Sequence, residues 1–167
     1  MQLVVADAGP LIALAVAGVL PQALGTFDFY VPQAVQEECL ADPYALGAFI
    51  ILEPSRLGSF TLIADTAIRA LDSAYAMGLG SGEVAVLSYA LQHSRVALVD
   101  ERRARRVALQ LGVAVAGSGA VLLALKKSGA IPNIASICPA LSAWAAHGYF
   151  LSAALQRQSL TVANEVT

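Results

Sequence analysis

Charge is scarce in this chain, and basic charge is scarcest at its start. Only 13% of the 167 residues are Asp, Glu, Lys or Arg, against 57% apolar, and no Lys or Arg precedes Arg56. Such a composition excludes a disordered polyelectrolyte. A formal charge of -2 excludes a global pull on nucleic acid, so any such binding must come from a local basic patch. Cysteine is nearly absent. Cys39 and Cys138 stand far apart with no CxxC, which argues against a disulfide framework or a zinc site and suits a reduced, cytoplasmic protein. His93 and His147 have no partner pattern and are read as structural. The window Ala8 to Phe27 is uncharged and long enough to span a bilayer. Yet Pro10 and Pro21 bracket its apolar part, Gly18 and Gly25 weaken it, and no Lys or Arg flanks it. A buried helix is therefore expected, with neither a signal peptide nor a membrane segment.

What is present is a chain of one-domain length whose apolar content exceeds the needs of a monomer, so a homodimer or a bound partner is expected. Residues 2–6 read as a strand that ends at Asp7, and Gly9-Pro10 turns the chain into a helix over 10–24. Asp28 to Val31 reads as a second strand. Pro32 then opens a helix over Gln33 to Leu40, where its missing N–H costs nothing. Ile50 to Leu52 reads as a third strand, Arg56 to Leu62 as a loop, and Ala64 to Met77 as a helix. After the glycine-rich turn Gly78 to Gly82, Ser81 is placed to cap a helix running to His93. Val96 to Val99 is a buried strand that ends at Asp100. A basic helix from Arg102 to Leu111, a strand over Val113 to Ala116 and a helix from Ala120 to Lys127 follow, and then a helical tail over about 130–167. Alternating strands and helices imply a mostly parallel sheet with helices on both faces.

Two strands end in Asp, and parallel strands bring their carboxyl ends to one edge. Asp7 and Asp100 could therefore be neighbours, with Glu83 and Glu38 opening or lying within helices near the same edge. Taken singly, each acid has a plain structural use: Asp7 as a turn cap, Glu37 or Glu38 on a solvated helix face, Glu83 in a first helical turn, Asp100 or Glu101 as a helix cap. Taken together, carboxylates at close quarters repel one another and ionise together only around a cation. Oxygen donors without His or Cys select Mg²⁺ or Mn²⁺, a site suited to phosphodiester hydrolysis. Arg102, Arg103, Arg105 and Arg106 follow Asp100 directly and could hold RNA phosphates. Ser118, between two glycines, could touch phosphate or form a plain turn. A phosphoacceptor receiver would need a paired acid and a later Lys, and a haloacid-dehalogenase-like phosphatase would need Asp-x-Asp at Asp7. Gly9 and Gly117-Ser118-Gly119 supply neither.

The order of these motifs resembles the PIN-domain ribonucleases, specifically the group related to VapC-like toxins. The matching pieces are Val5-Ala6-Asp7-Ala8-Gly9-Pro10-Leu11-Ile12-Ala13-Leu14, Val31 to Glu38, Leu79-Gly80-Ser81-Gly82-Glu83-Val84-Ala85-Val86-Leu87 and Leu98-Val99-Asp100-Glu101-Arg102-Arg103-Ala104-Arg105, with Gly148 to Ser152 in the tail. The resemblance implies a single PIN-like domain over 1–167, a three-layer α/β/α sandwich whose tail packs on the core or a partner. It also implies an Mg²⁺- or Mn²⁺-dependent endoribonuclease, a hydrolase acting on RNA. Toxin kinship implies an antitoxin protein as a possible partner. By position, Asp7, Glu83 and Asp100 would hold the metal and Glu38 would join them in catalysis. Glu37 is the fallback for Glu38, and Glu101 could share the role of Asp100. Where the family usually has Leu after the second-motif acid, this chain has Cys39. The competing expectation is a catalytically weak PIN-fold module that uses its acidic groove to hold a basic partner segment.

Overall fold

A computed structural model describes residues 2–41, 59–135 and 161. Among the described residues five strands form one parallel sheet in the order β3-β2-β1-β4-β5, with β1 (Gln2–Ala6), β2 (Phe27–Pro32), β3 (Thr61–Ile63), β4 (Val96–Leu98) and β5 (Val115–Ala116). The most apolar strand takes the centre: Val4, Val5 and Ala6 are all buried. Successive strand residues point to opposite faces, so burial of all three means that helices cover both faces. The result is a three-layer α/β/α sandwich around a parallel sheet, as expected. The described helices are α1 (Ala8–Val16), α2 (Leu20–Thr26), α3 (Gln33–Leu40), α4 (Ser73–Ala76), α5 (Ser81–His93), α6 (Arg102–Gln110) and α7 (Ser118–Lys127). Helix α5 packs along β1, β2 and β4 and against α3, while α7 packs on α1 and α2. The chain steps outward from β1 through β2 to β3, then returns to the other side of β1 for β4. The switch point therefore lies between the carboxyl ends of β1 and β4, where open parallel sheets bind their ligands.

Three segments depart from the sequence expectation. The helix expected over 10–24 is two helices, α1 and α2, bent by 119° at the break between them. Gly18 takes φ +72 there, and Pro21 restarts the helix in its first turn. Among the described residues no single helix is long and apolar enough to cross a membrane, although this bent pair matches one by length and composition. Of the loop expected over Arg56 to Leu62, residues 56–58 lie outside the described residues, and its end, Thr61 and Leu62, belongs to β3, a short edge strand paired with β2 through Tyr30–Thr61 and Val31–Leu62. The helix expected over Ala64 to Met77 is only a 3₁₀ turn at Asp65–Ala67 and the single turn of α4. The Gln92 side chain takes the backbone groups between them: its Oε1 accepts from the Arg69 N–H at 3.0 Å and its Nε2 donates to the Ala67 carbonyl at 3.4 Å. Asp72 then caps α4 by accepting from the Ala74 N–H at 2.9 Å. The strand expected at Ile50–Leu52 and most of the expected helical tail lie outside the described residues. The tail's described start, Ile131 and Ile134, is buried in the core.

Candidate active site: an acidic cleft at the sheet edge

Register brings the chain's acids together. Ala6 pairs with Leu98, and the Asp7 N–H donates to the Leu98 carbonyl at 3.1 Å, so Asp7 and Asp100 leave adjacent strands at nearly the same height. Asp7 stands at the N-cap of α1, yet its carboxylate makes no capping hydrogen bond across the first turn. It faces the other acids instead. Burial pushes its pKa up to about 7; the Ala8 amide partly offsets this, and the charges of Glu83, Glu38 and Asp100 raise it further. Glu83, Glu38 and Asp100 are thus each close enough to act on Asp7 electrostatically.

Each of the other three accepts a backbone N–H at a helix start. Glu38 reaches from α3 to the start of α5, where its Oε1 accepts from the Ser81 hydroxyl at 3.1 Å and the Gly82 N–H at 3.3 Å. Glu37 turns the other way and accepts from the Gln33 side chain at 2.8 Å. Helix phase thus settles which of the adjacent glutamates faces the cleft. Glu83 folds back onto its own helix start, accepting from the Gly80 N–H at 2.8 Å. Gly80, not the expected Ser81, is the N-cap of α5, which leaves the Ser81 hydroxyl for Glu38. Asp100 accepts from the Ser118 N–H and the Ser118 hydroxyl, both at 2.8 Å. Burial raises the Asp100 pKa, against the lowering effect of the two Ser118 bonds and the Arg105 charge. Glu101 is exposed at the N-cap of α6.

Ser118 corrects an expectation. It is 1% exposed and its hydroxyl is committed to Asp100, so it cannot contact RNA and instead positions that carboxylate. The arginines also divide. Arg103 donates to the Met77 carbonyl at 2.9 Å, Arg105 lies half-buried beside Asp100, and Arg102 and Arg106 are exposed on α6. Cys39 is buried beside Asp7 and Glu38. Burial first, then those two charges, push its thiol up to about 12, so it stays protonated and fills an apolar slot.

Two glycines read from the sequence only as turn residues control the close approaches. A Cβ on Gly82 would lie 2.6 Å from Glu38 Oε2 and 3.1 Å from Val35 Cγ2. A Cβ on Gly117 would lie 2.7 Å from Asp100 Oδ1 and 2.9 Å from Arg105 Nη1. The consequences should differ. Glu38 is exposed and can swing away, so Gly82→Ala should displace it at a cost under about 1 kcal/mol. Asp100 is pinned on both oxygens, so Gly117→Ala should cost about 1–3 kcal/mol. Thermal melts of the two variants check this ordering, and equal stability would contradict it.

The donor set is all oxygen and carries more negative charge than its surroundings balance, which fits a hard divalent cation. As placed, the acids do not close on one point: among the described residues no three His, Cys, Asp or Glu side chains form a ready metal cage. An α/β/α sandwich with four carboxylates gathered at the switch point of its parallel sheet is the build of a nuclease-type domain. The chain belongs to the PIN-domain family: the family model DUF3368, a PIN domain, matches residues 3–165. PIN domains are generally nucleases, hence hydrolases, and typically use divalent metals. Among solved structures, the chain is similar to a PilT N-terminus domain protein from the hyperthermophilic archaeon Sulfolobus solfataricus P2. That match is 12% identical, has a TM-score of 0.47, and covers 74% of this chain and 92% of that one. No curated protein matches the chain significantly.

Proposed function

We propose that this chain is an Mg²⁺- or Mn²⁺-dependent endoribonuclease. The observation that supports the reading is the convergence of Glu38, Glu83 and Asp100 on Asp7, each acting on it electrostatically, past the carboxyl ends of β1 and β4. Asp7, Glu83 and Asp100 would hold the cation. When bound, it supplies Lewis acidity at the scissile phosphate. Glu38, exposed and held at the start of α5, orients the attacking water and accepts its proton. Ser118 and Arg105 keep Asp100 aimed and favour its ionised form against the effect of burial. Arg102 and Arg106, exposed on α6, hold the phosphates that flank the cut.

A role as the toxin of a type II toxin–antitoxin pair, acting in the cytoplasm as a homodimer, belongs to the same proposal. The exposed apolar side chains Met77 and Leu109 offer surface for a partner. The test is incubation of the purified chain with end-labelled RNA in Mn²⁺, in Mg²⁺ and in chelator. Internal cleavage that requires the divalent ion is expected. Intact RNA under all three conditions contradicts hydrolysis and favours a module whose acidic groove holds a basic segment.

A further inference from the structure

Beside the acids lies a feature that hydrolysis alone leaves unused. A cleft of about 320 Å³ opens between α3, α5 and the extended segment that follows the Asp65–Ala67 turn. Ala34, Ile68, Leu79 and Val84 form apolar walls, and Ser81 and Asp65 bring polar groups. This is the small end of the range of ligand clefts.

One hydrogen bond connects the cleft to the acidic site, and a side-chain amide fixes its outer wall. Ser81 lines it and donates to Glu38, so the cleft begins where the acid cluster ends. The segment forming its outer wall is fixed by the Gln92 amide at Ala67 and Arg69. An apolar slot with one carboxylate, opening beside a cluster of acids, matches a nucleotide base. The base takes the walls, and Asp65 meets its polar edge. An apolar side chain from a peptide would use the walls and leave Asp65 without a role.

Resting on the ribonuclease reading, we propose that this cleft is the base-recognition subsite of the cleavage centre, with Asp65 as its specificity-determining residue. A carboxylate accepts from the exocyclic amino groups of adenine and cytosine. Uracil has no exocyclic amino group, only a ring N–H flanked by two carbonyl oxygens that repel a carboxylate, and is disfavoured.

The test reads binding, which does not depend on hydrolysis. The full-length Asp7→Asn chain is titrated into 5′-labelled octamers of adenylate, cytidylate and uridylate, followed by fluorescence anisotropy. The adenylate and cytidylate octamers should bind about fivefold or more tighter than the uridylate octamer. Adding Asp65→Asn should level the three. Adding Ala70→Trp, at an exposed lining position, should weaken the preferred pair by filling the slot. Equal affinity for all three octamers, no RNA binding, or a preference untouched by both substitutions overturns the subsite. Cleavage by the unsubstituted chain in Mn²⁺ separates the two ideas. Base-selective binding without hydrolysis keeps the slot and removes the nuclease, whereas hydrolysis without base selectivity does the reverse.

Discussion

Asp7→Asn is expected to remove divalent-dependent RNA cleavage, lowering the rate by at least about 100-fold while the fold stays intact. Asp7 is the one acid that the other three all act on, and it leaves the central strand at the switch point. Asparagine keeps the size and an oxygen for the Ala8 amide, and it removes the charge needed to hold a cation. Lewis-acid assistance is worth several kcal/mol, and each 1.36 kcal/mol is a factor of ten in rate. End-labelled RNA with Mn²⁺, read over a time course, measures the loss. Undiminished cleavage would remove Asp7 from the chemistry.

The same substitution is expected to stabilise the protein in the absence of divalent ions. Asp7 has an ordinary pKa of 3.8 and a folded value of about 7. The folded state therefore binds the proton more tightly than the unfolded chain does. The stability this gives is present in full below about 4 and is lost as pH rises through 7, where the ionised carboxylate sits among three others. The shift corresponds to about 4 kcal/mol as an upper limit, because counterions and water soften it. In chelator at pH 8, Asp7→Asn should melt above the unsubstituted chain, by on the order of 5 °C. At pH 5 the gap should narrow, since Asp7 is then protonated in the parent as well. Melting curves followed by circular dichroism at both pH values check the sign. A lower melting temperature for the variant at pH 8 would show that the Asp7 charge is well compensated.

These two effects have opposite signs for one reason. On the proposed reading, a carboxylate that a cation would neutralise strains the metal-free protein, a trade of stability for function common at active sites. The same logic explains how the acids are held. Glu38, Glu83 and Asp100 each accept a backbone N–H from Gly82, Gly80 or Ser118. Those amides belong to helix starts, where donors are unspent and the dipole favours negative charge.

Asp7 and Asp100 were legible because a β-branched run ending in an acid is a local pattern, and parallel strands bring such ends together. Glu38 could not be separated from Glu37 by spacing, because the choice depends on the angle at which α3 meets α5. Ser118 was misassigned for a related reason. Leu98 pairs with Ala116, so Asp100 and Ser118 each lie two residues past a paired position. That relation is visible only once β5 is known to lie beside β4. The Gly82 and Gly117 approaches were hidden in the same way, since each concerns a side chain from another element. The segment from Ala64 to Met77 defeated periodicity because a distant amide, Gln92, captures its backbone groups. Local propensity has no access to that competition.

The most direct measurement is a calorimetric titration of the metal-free chain with Mn²⁺ at pH 6 and pH 8, run in buffers of different ionisation enthalpy. If Asp7, Glu83 and Asp100 share one cation, a saturable site appears, binds more tightly at pH 8, and releases close to one proton per ion at pH 6 as Asp7 gives up its hydrogen. Asp7→Asn abolishes it. A chain that binds no Mn²⁺, or binds it with an affinity indifferent to pH and to Asp7→Asn, would contradict a common ion among these acids.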